Sequence, residues 1–289
     1  MTTTAQAFSD FLLKISPTDT QRTEIRDKRA KTEGYLQTGF PQSGDLPLKR
    51  VVLIGSADRG TLIRPIDDID VLAEFINKDG IFERYRYKSG DFLQRIRRVL
   101  DAKTSIAHIG ARGQAVRLFY TSGAYVDIAP VFHWNSGGYA LPSGDGGWIT
   151  TDPEAQAKWL ADRRASVGSE LTNRIKLLKR WNRVHSCRLQ SYHLEVMVAS
   201  FFSQAGSNHR KGLALFFEGA GSWIDVSDPA GYSGVLSDYL TYEARQAIKS
   251  RLAEAGDRAQ RAIAFEESGD HAEAKRLWAI ELGSEFPTS

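Results

Sequence analysis

The sequence predicts an α+β protein with a sheet in its front part and helices in its rear part. Three segments between residues 105 and 132 are rich in β-branched and aromatic residues and are joined by short connections that contain glycine. Such segments favour antiparallel pairing. From about residue 152 onward, apolar residues recur at helical spacing. With 289 residues in the chain and a typical ~150 residues per domain, we expect a division into residues 1–150 and 151–289.

The composition is that of an ordinary globular protein. Apolar residues make up 42% of the chain, aromatic residues 10% and charged residues 25%, which excludes a disordered chain. No apolar run approaches the ~20 residues of a membrane span, so the sequence predicts no membrane-spanning segment. The formal charge of +3 is too small to indicate nonspecific coating of nucleic acid.

Cysteine usage and the first residues predict the compartment. Cys187 is the single cysteine of the chain, so no internal disulfide can form. The N-terminal residues lack the basic start and long apolar stretch of a secretory signal. We therefore expect a reducing, cytoplasmic location.

The front part begins with a long polar helix, which Thr18 and Gln21 introduce at the spacing of a capping box. An apolar run of four residues that ends at Gly55 then predicts a buried strand. In chain order, the predicted front elements are a helix over Pro17–Leu36, strands over Val51–Ile54 and Ile66–Ile76, a helix through Phe92–Leu100, and strands over Ser105–Ile109, Ala115–Tyr120 and Tyr125–Phe132.

The rear part contains apolar residues three and four positions apart, which predicts helices. The predicted helices are Leu171–His185, Leu194–Phe202, Ala244–Phe265 and Ala272–Leu282. Basic residues cluster at Arg22–Lys31, Arg84–Arg98 and Lys176–Arg188. Such runs are usually solvated helix faces, and they also leave room for a local anion site.

Two carboxylates on the second predicted strand are candidate metal ligands. Asp68 and Asp70 are two positions apart, so on a strand they project to the same face, and Ile69 points into the core. Unpaired carboxylates this close repel each other unless a divalent cation neutralises them. Mg²⁺ binds in this way and completes its shell with water and substrate phosphates.

A third carboxylate, Asp127, lies within a predicted strand between apolar neighbours. An acid in such a strand needs a partner. If this strand pairs beside the strand of Asp68 and Asp70, three carboxylates converge, which is the minimum for two metal ions that assist displacement at phosphorus. The alternative is that Asp68 caps a turn and Asp127 makes a buried ion pair.

Phosphates need hydrogen-bond donors as well as metal ions. The turn at Gly55 and Ser56 can supply backbone N–H groups and a hydroxyl. At ~100° per residue, Lys179 borders the apolar face of its helix, so we expect its ammonium to enter a cleft. Lys176 and Arg180 should point further toward solvent. The alternative for Lys179 is a surface lysine that only covers apolar area.

The helix after that one begins near Ser191, which is a natural N-cap residue whose hydroxyl favours an anion. The next residue, Tyr192, can stack on a nucleobase. The alternatives are that Ser191 is only a cap and Tyr192 only a packed aromatic. Six histidines at unrelated spacings and one cysteine predict no zinc site.

Several of these segments form a recognisable signature. The signature consists of Gly55-Ser56-Ala57-Asp58-Arg59-Gly60-Thr61, Asp68-Ile69-Asp70-Val71 and Val126-Asp127-Ile128-Ala129-Pro130. It resembles that of the DNA-polymerase-beta-like nucleotidyltransferases. Four further segments, Ile175–Asn182, Ser191–Glu195, Asp228-Pro229 and Trp278–Pro287, are similar to those of bacterial cGAS/DncV-like nucleotidyltransferases, the CD-NTases.

The resemblance implies a catalytic lobe over residues 1–150, with a mixed sheet and a long N-terminal helix that bridges to a helical lobe over 151–289. It also assigns roles to residues. Asp68, Asp70 and Asp127 would be catalytic and would bind two Mg²⁺ or Mn²⁺ ions. The nucleotide-binding residues would be Gly55, Ser56, Lys179, Ser191 and Tyr192. The segment Ala57-Asp58 departs from many relatives, so the resemblance assigns no residue to the acceptor base.

The function that the resemblance implies is synthesis of a cyclic di- or trinucleotide second messenger from ribonucleoside triphosphates, with pyrophosphate as the other product, in bacterial anti-phage signalling. Substrates would be ATP, GTP or pyrimidine nucleotides, with a regulatory protein partner and without a DNA template. One alternative is transfer of a nucleotide to a protein, a tRNA or a small molecule. A second alternative is a nucleotide or RNA sensor without turnover.

Overall fold

This computed structural model describes residues 2–102, 106–112, 114–134 and 136–289. The predicted strand Ser105–Ile109 begins outside the described residues, at Ser105. The chain forms two compact units whose segments alternate along the sequence. The sheet unit consists of Thr18–Arg59 and Ile66–Ala157, and the helical unit consists of Met1–Pro17, Gly60–Pro65 and Lys158–Ser289. The division of roles between 1–150 and 151–289 stays a prediction.

The described residues form helices and strands that agree with most of the predicted elements. The helices are α1 (Thr4–Ile15), α2 (Asp19–Gly39), α3 (Gly55–Asp58), α4 (Phe82–Tyr85), α5 (Ser89–Asp101), α6 (Pro153–Val167), α7 (Leu171–Val184), α8 (Ser191–Phe201), α9 (His209–Gly219), α10 (Tyr242–Glu267) and α11 (His271–Leu282). The strands are β1 (Leu48–Leu53), β2 (Asp68–Phe75), β3 (Ile106–Arg112), β4 (Ala115–Tyr120), β5 (Tyr125–His133), β6 (Tyr139–Pro142) and β7 (Trp148–Thr151). The mixture confirms the predicted α+β class.

The sheet is mixed, with the order β1-β2-β5-β4-β3, and β6 and β7 extend it beside β5. β2 and β5 pair in parallel, while β1 pairs antiparallel with β2 and β4 pairs antiparallel with both β3 and β5. This order places the two strands that carry the predicted acids next to each other, in the middle of the sheet.

Aromatic rings fill the core of the sheet unit on one side of the sheet. Phe92 of α5 stacks on Phe132 of β5 at 4.9 Å between ring centroids and meets Phe75 of β2 edge-on at 5.3 Å. Phe40 meets Phe75 edge-on at 5.1 Å. Edge-to-face and offset pairs at these distances add stabilisation beyond the burial of area, so α5 is held firmly against β2 and β5.

The predicted long polar helix is present as α2, and its capping box between Thr18 and Gln21 is formed. Its buried Lys28 binds the turn between β4 and β5, because its ammonium donates to the carbonyls of Ser122 at 3.1 Å and Ala124 at 2.6 Å. The stability of α2 therefore comes from polar contacts with the sheet as well as from its few apolar residues.

The helical unit has a core of large side chains. Trp181 of α7 and Trp278 of α11 are fully buried, and Phe8 of α1 packs edge-on against Trp278 at 5.0 Å and against Phe286 at 5.1 Å. α1 thereby joins the N-terminal residues to the C-terminal helix. Among the described residues, no helix is long and apolar enough to cross a membrane.

Candidate active site

The loop after β1 fits closely against the first acidic strand. Gly55 has a φ of +67°, and a Cβ atom there would lie 2.4 Å from the Oδ2 atom of Asp70. Only glycine satisfies both the left-handed backbone and the close approach. The backbone N–H of Ile54 donates to the carbonyl of Asp70 at 3.0 Å. Ser56 lies in the first turn of α3, so the loop and the strand are one packed assembly.

The structure brings the three predicted acids together. In the parallel ladder of β2 and β5, Asp70 is the direct partner of Asp127, and Asp68 lies two positions earlier on the same face of β2. Ligand atoms of all three carboxylates lie within 4.8 Å of one another. Ile69, which points to the other face, is only 1% exposed and anchors the strand in the core.

The donor set fits a hard divalent cation. Mg²⁺ and Mn²⁺ prefer carboxylate oxygens. Without a cation between them, three carboxylates this close together repel one another. The pKa of Asp68 is raised, first because burial disfavours its charged form and second because Asp127 is negatively charged. A cation bound at this cluster would remove that repulsion.

Asp127 also makes the ion pair that the sequence left open as an alternative. Arg117 on β4 donates from Nε to Oδ1 at 2.7 Å and from Nη2 to Oδ2 at 2.6 Å. Arg117 is not among the residues predicted from the sequence. A signal was present, because a β4–β5 hairpin centred on Ser122 places Arg117 and Asp127, each five positions from the centre, opposite each other.

The helical unit contains a basic cavity of about 330 Å³. Its lining residues are Ile63, Lys179, Asn182, Arg183, Ser186, Arg188 and Ser191. The structure therefore brings together Lys179 and Ser191, as the predicted phosphate contacts require, and adds two arginines that the sequence analysis did not select. A concave site with three cations and hydroxyl groups has the chemistry to bind phosphate oxygens.

Lys179 has a fixed partner within the helical unit. Its ammonium donates to Oε1 of Glu195 on α8 at 3.1 Å, and the two side chains are 8% and 1% exposed. The hydroxyl of Thr61 donates to the same oxygen at 2.7 Å. Lys179 is therefore not a flexible surface lysine, and its ammonium is held at one place in the wall of the basic cavity.

The predicted orientation of two other basic residues on α7 is wrong. Lys176 is only 8% exposed and donates to the hydroxyl of Ser16 at 3.1 Å. Arg180 donates to the carbonyl of Leu282 at 3.0 Å and its side chain is 11% exposed. The reason is that α1, α8, α9 and α11 all contact α7, so this helix has no broad solvent face.

The prediction for the start of α8 is also partly wrong. Gln190 is the N-cap residue, and Ser191 occupies the first helical position instead. Tyr192 is half-buried, and its hydroxyl donates to Oδ1 of Asp228 at 2.8 Å. The Asp228 carboxylate also accepts three backbone N–H groups of its own loop. Asp228 is therefore a positioning residue for Tyr192, which the sequence analysis noted only as part of a motif.

The fold and the acid cluster together define the class of the protein, which is that of the nucleotidyltransferases with a mixed sheet. Residues 1–163 match the family described as Second Messenger Oligonucleotide or Dinucleotide Synthetase domain. Because this match spans more than half of the chain, the chain belongs to that family. The resemblance to the cGAS/DncV-like nucleotidyltransferases is thereby confirmed, and the protein is an enzyme of this class.

A relative and two solved structures are similar over nearly the whole chain. A probable cyclic nucleotide synthase of Bacillus cereus strain VD146 is 27% identical, with 99% of this chain and 98% of that protein covered. The Escherichia coli MS115-1 CdnC:HORMA-deltaN complex contains a chain with a TM-score of 0.78 at 18% identity, over 98% of this chain and 97% of that chain. Vibrio cholerae DncV, a cyclic AMP-GMP synthase in complex with the linear intermediate 5′ pppA(3′,5′)pG, has a TM-score of 0.77 at 13% identity, over 99% and 96%. The two structures confirm the fold.

Proposed function

We propose that this enzyme uses Mg²⁺ or Mn²⁺ to join ribonucleoside triphosphates into a cyclic di- or trinucleotide second messenger, with release of pyrophosphate, in bacterial anti-phage signalling. The observation that carries the proposal is the convergence of Asp68, Asp70 and Asp127 on two adjacent strands. The family description and the name of the Bacillus cereus relative support the class of product.

The acids have separate roles in this proposal. Asp68 and Asp70, on one strand, hold the ion that accompanies the triphosphate, and Asp127, on the neighbouring strand, helps to hold the ion beside the attacking ribose hydroxyl. Two such ions, when bound, stabilise the charge that develops as the hydroxyl attacks the α-phosphate and pyrophosphate leaves. The carboxylates themselves orient this assembly, because β2 and β5 are central strands with buried neighbours.

The remaining predicted residues bind the nucleotide in this proposal. Gly55 and Ser56 offer backbone and hydroxyl donors, and Lys179 and Ser191 contact phosphate oxygens from the wall of the basic cavity. The face of Tyr192 supports the base, since its hydroxyl is held by Asp228. A charge-assisted hydrogen bond of the Lys179 type contributes about 1.5–3 kcal/mol.

The proposal includes nucleotide substrates, a regulatory protein partner and a cytoplasmic location. The solved structures contain a nucleotide intermediate in one case and a HORMA protein in the other, which supports ribonucleoside triphosphates as substrates and a regulatory protein as partner; the choice among ATP, GTP and pyrimidine nucleotides is part of the proposal. Cys187 is buried, and burial raises the pKa of its thiol to about 11. A protonated, unpaired thiol is compatible with the proposed cytoplasmic location.

The experiment that tests the proposed function needs nucleotides alone. Purified protein is incubated with four labelled ribonucleoside triphosphates and Mg²⁺ or Mn²⁺, and the products are digested with linkage-selective nucleases. A nuclease-resistant oligonucleotide formed without template or acceptor supports the proposal. Product formation only after addition of a protein, tRNA or small molecule supports an acceptor-modifying enzyme, and binding without any turnover supports a sensor.

Replacement of the third acid tests the division of roles. Asp127→Asn should retain nucleotide binding while turnover falls by at least about a hundredfold, because Asp68 and Asp70 remain. Binding is measured by calorimetry and turnover by pyrophosphate release. Asp67→Asn is the matched control, since Asp67 is an exposed neighbour of Asp68 and its replacement should change both quantities far less than Asp127→Asn does. Parallel loss of binding and turnover in Asp127→Asn would contradict these roles.

A further inference from the structure

Arg117 binds the third acid through both of its oxygens. The guanidinium donates one N–H to each oxygen of Asp127, at 2.7 and 2.6 Å. Such a two-point, charge-assisted pair is stronger than a neutral hydrogen bond and fixes the relative orientation of the two side chains. The two side chains are 13% and 18% exposed. The pair is therefore mostly buried, with a small part of each side chain in contact with solvent.

The backbone and an aromatic ring hold Arg117 in this place. Arg117 is the direct cross-strand partner of Asp127 in the antiparallel ladder of β4 and β5, so both side chains project from the same face of the sheet. The guanidinium carbon lies 3.8 Å from the centre of the Tyr125 ring, which is the stacked geometry of a cation–π contact. The pair is therefore built into the sheet and does not depend on a mobile loop.

A divalent cation at the acid cluster and Arg117 would both bind the carboxylate of Asp127. Each carboxylate oxygen can accept more than one partner, but two cations on one carboxylate repel each other. This repulsion is large at short range in surroundings of reduced dielectric constant. Asp68 and Asp70 lie on β2, and the described contacts of Arg117 place its hydrogen bonds on Asp127. The repulsion is therefore greatest for an ion on Asp127, and it is weaker for an ion on Asp68, on which Arg117 acts through its charge alone.

We infer that Arg117 is an internal counter-cation that competes with the divalent ion for Asp127. Arg117 thereby acts as a positioning residue: it keeps Asp127 paired in the nucleotide-free enzyme and weakens metal binding there. The ion that arrives with a triphosphate then binds Asp68 and Asp70 first. This inference rests on the proposed function, because it assumes that the acid cluster is the metal site.

Mn²⁺ binding by nucleotide-free protein tests the inference without any turnover. Free Mn²⁺ is measured by electron paramagnetic resonance during titration of the parent protein, Arg117→Gln and Arg117→Lys. We expect Arg117→Gln to bind Mn²⁺ about tenfold more tightly, because one positive charge is removed next to the site. Arg117→Lys should show a smaller gain, since lysine keeps the charge but loses the two-point contact.

Two controls separate competition from a structural effect. The double variant Arg117→Gln with Asp127→Asn should gain less over Asp127→Asn alone than Arg117→Gln gains over the parent protein, because the direct competition acts through Asp127 and only the repulsion between the Arg117 charge and an ion on Asp68 and Asp70 remains. Thermal melts show whether each variant is folded. If Arg117→Gln does not fold, Arg117→Lys carries the test, because it retains a cation beside Asp127.

The outcomes distinguish the inference from the proposed function. Unchanged or weaker Mn²⁺ binding by folded Arg117→Gln, or by Arg117→Lys where it carries the test, overturns the competition, even if the parent protein binds Mn²⁺ and releases pyrophosphate. A gain of the double variant over Asp127→Asn as large as that of Arg117→Gln over the parent protein also overturns it. Absence of Mn²⁺ binding in every variant and in the parent protein shows that the acids are not a metal site, and then the proposed function fails as well.

Discussion

Two carboxylate–cation pairs, one in each unit, have the same chemistry in different surroundings. Asp127 and Arg117 in the sheet unit keep 18% and 13% of their side-chain exposure, whereas Glu195 and Lys179 in the helical unit keep 1% and 8%. Solvent and ions can reach the first pair, so a ligand can rearrange it. The second pair has little access to water, and loss of one partner leaves a buried charge. We therefore expect a ligand to be able to break the Asp127–Arg117 pair, and we expect the Glu195–Lys179 pair to stabilise the fold.

The largest expected effect comes from removing both acids of β2. Asp68→Asn with Asp70→Asn should abolish nucleotide-dependent metal binding and lower turnover by at least about a thousandfold, since the loss corresponds to several kcal/mol of charge stabilisation. Thermal stability should not fall, and without metal it should rise slightly, because two repelling carboxylates become neutral. Pyrophosphate release and thermal melts measure the two quantities. Residual product above background would mean that the acid cluster is not the catalytic site.

Replacement of Lys179 should destabilise the folded protein. Lys179→Ala leaves Glu195 buried without this partner, which should lower the free energy of unfolding by about 3–5 kcal/mol, measured by urea denaturation. The matched variant is Lys179→Met with Glu195→Leu, which removes both charges and should be less destabilised than the single variant. Equal destabilisation of the two proteins would show that the pair does not support the fold.

A smaller effect concerns the pH dependence of stability. Burial and the charge of Asp127 raise the pKa of Asp68 in the folded protein, so the folded state binds a proton more tightly than the unfolded state does. Stability from this group therefore increases as pH falls from the raised folded pKa to the ordinary value of about 3.9. Asp68→Asn should lack this increase and should melt roughly 1–2 °C higher at neutral pH without metal. An unchanged pH profile would contradict the repulsion between the acids.

The smallest effect is expected at an exposed ion pair of the helical unit. Lys158 and Asp162 are 2.6 Å apart with side chains 75% and 65% exposed. Lys158→Ala should change the free energy of unfolding by less than about 0.5 kcal/mol, because water and salt screen such pairs. This variant is the baseline for Lys179→Ala in the same denaturation experiment. A large change in the free energy of unfolding would show that the exposure of an ion pair does not predict how much it stabilises this protein.

The sequence predicted the acid cluster because its signals are local. Alternation along β2 puts Asp68 and Asp70 on one face, and apolar neighbours place Asp127 within a strand. The turn glycine at Gly55 was equally visible, although its collision with Asp70 was not. The parallel pairing of β2 with β5 could not be predicted in the same way, because an alternating pattern does not determine which strands are neighbours in the sheet.

The sequence could not predict features that depend on contacts between distant elements. Lys176 is buried because Ser16 and its neighbours cover a face of α7 that a helical wheel assigns to solvent. Glu195 was recorded as part of a motif, yet its pairing with Lys179 requires the packing of α7 on α8. α1 was not predicted although its apolar residues recur at helical spacing; only its contacts with Trp278 and Phe286, which join the two ends of the chain, depend on the tertiary structure.

Lys28, which binds the turn between β4 and β5, restricts insertions and deletions in that turn. Lys28 donates to the carbonyls of Ser122 and Ala124, so the number of residues between Arg117 and Asp127 is fixed by a helix outside the hairpin. A one-residue insertion or deletion in the turn would shift the alignment of the strands and turn Arg117 to the opposite face of the sheet. Substitutions can therefore adjust this site gradually, whereas a single-codon insertion or deletion in the turn would remove its internal cation in one step.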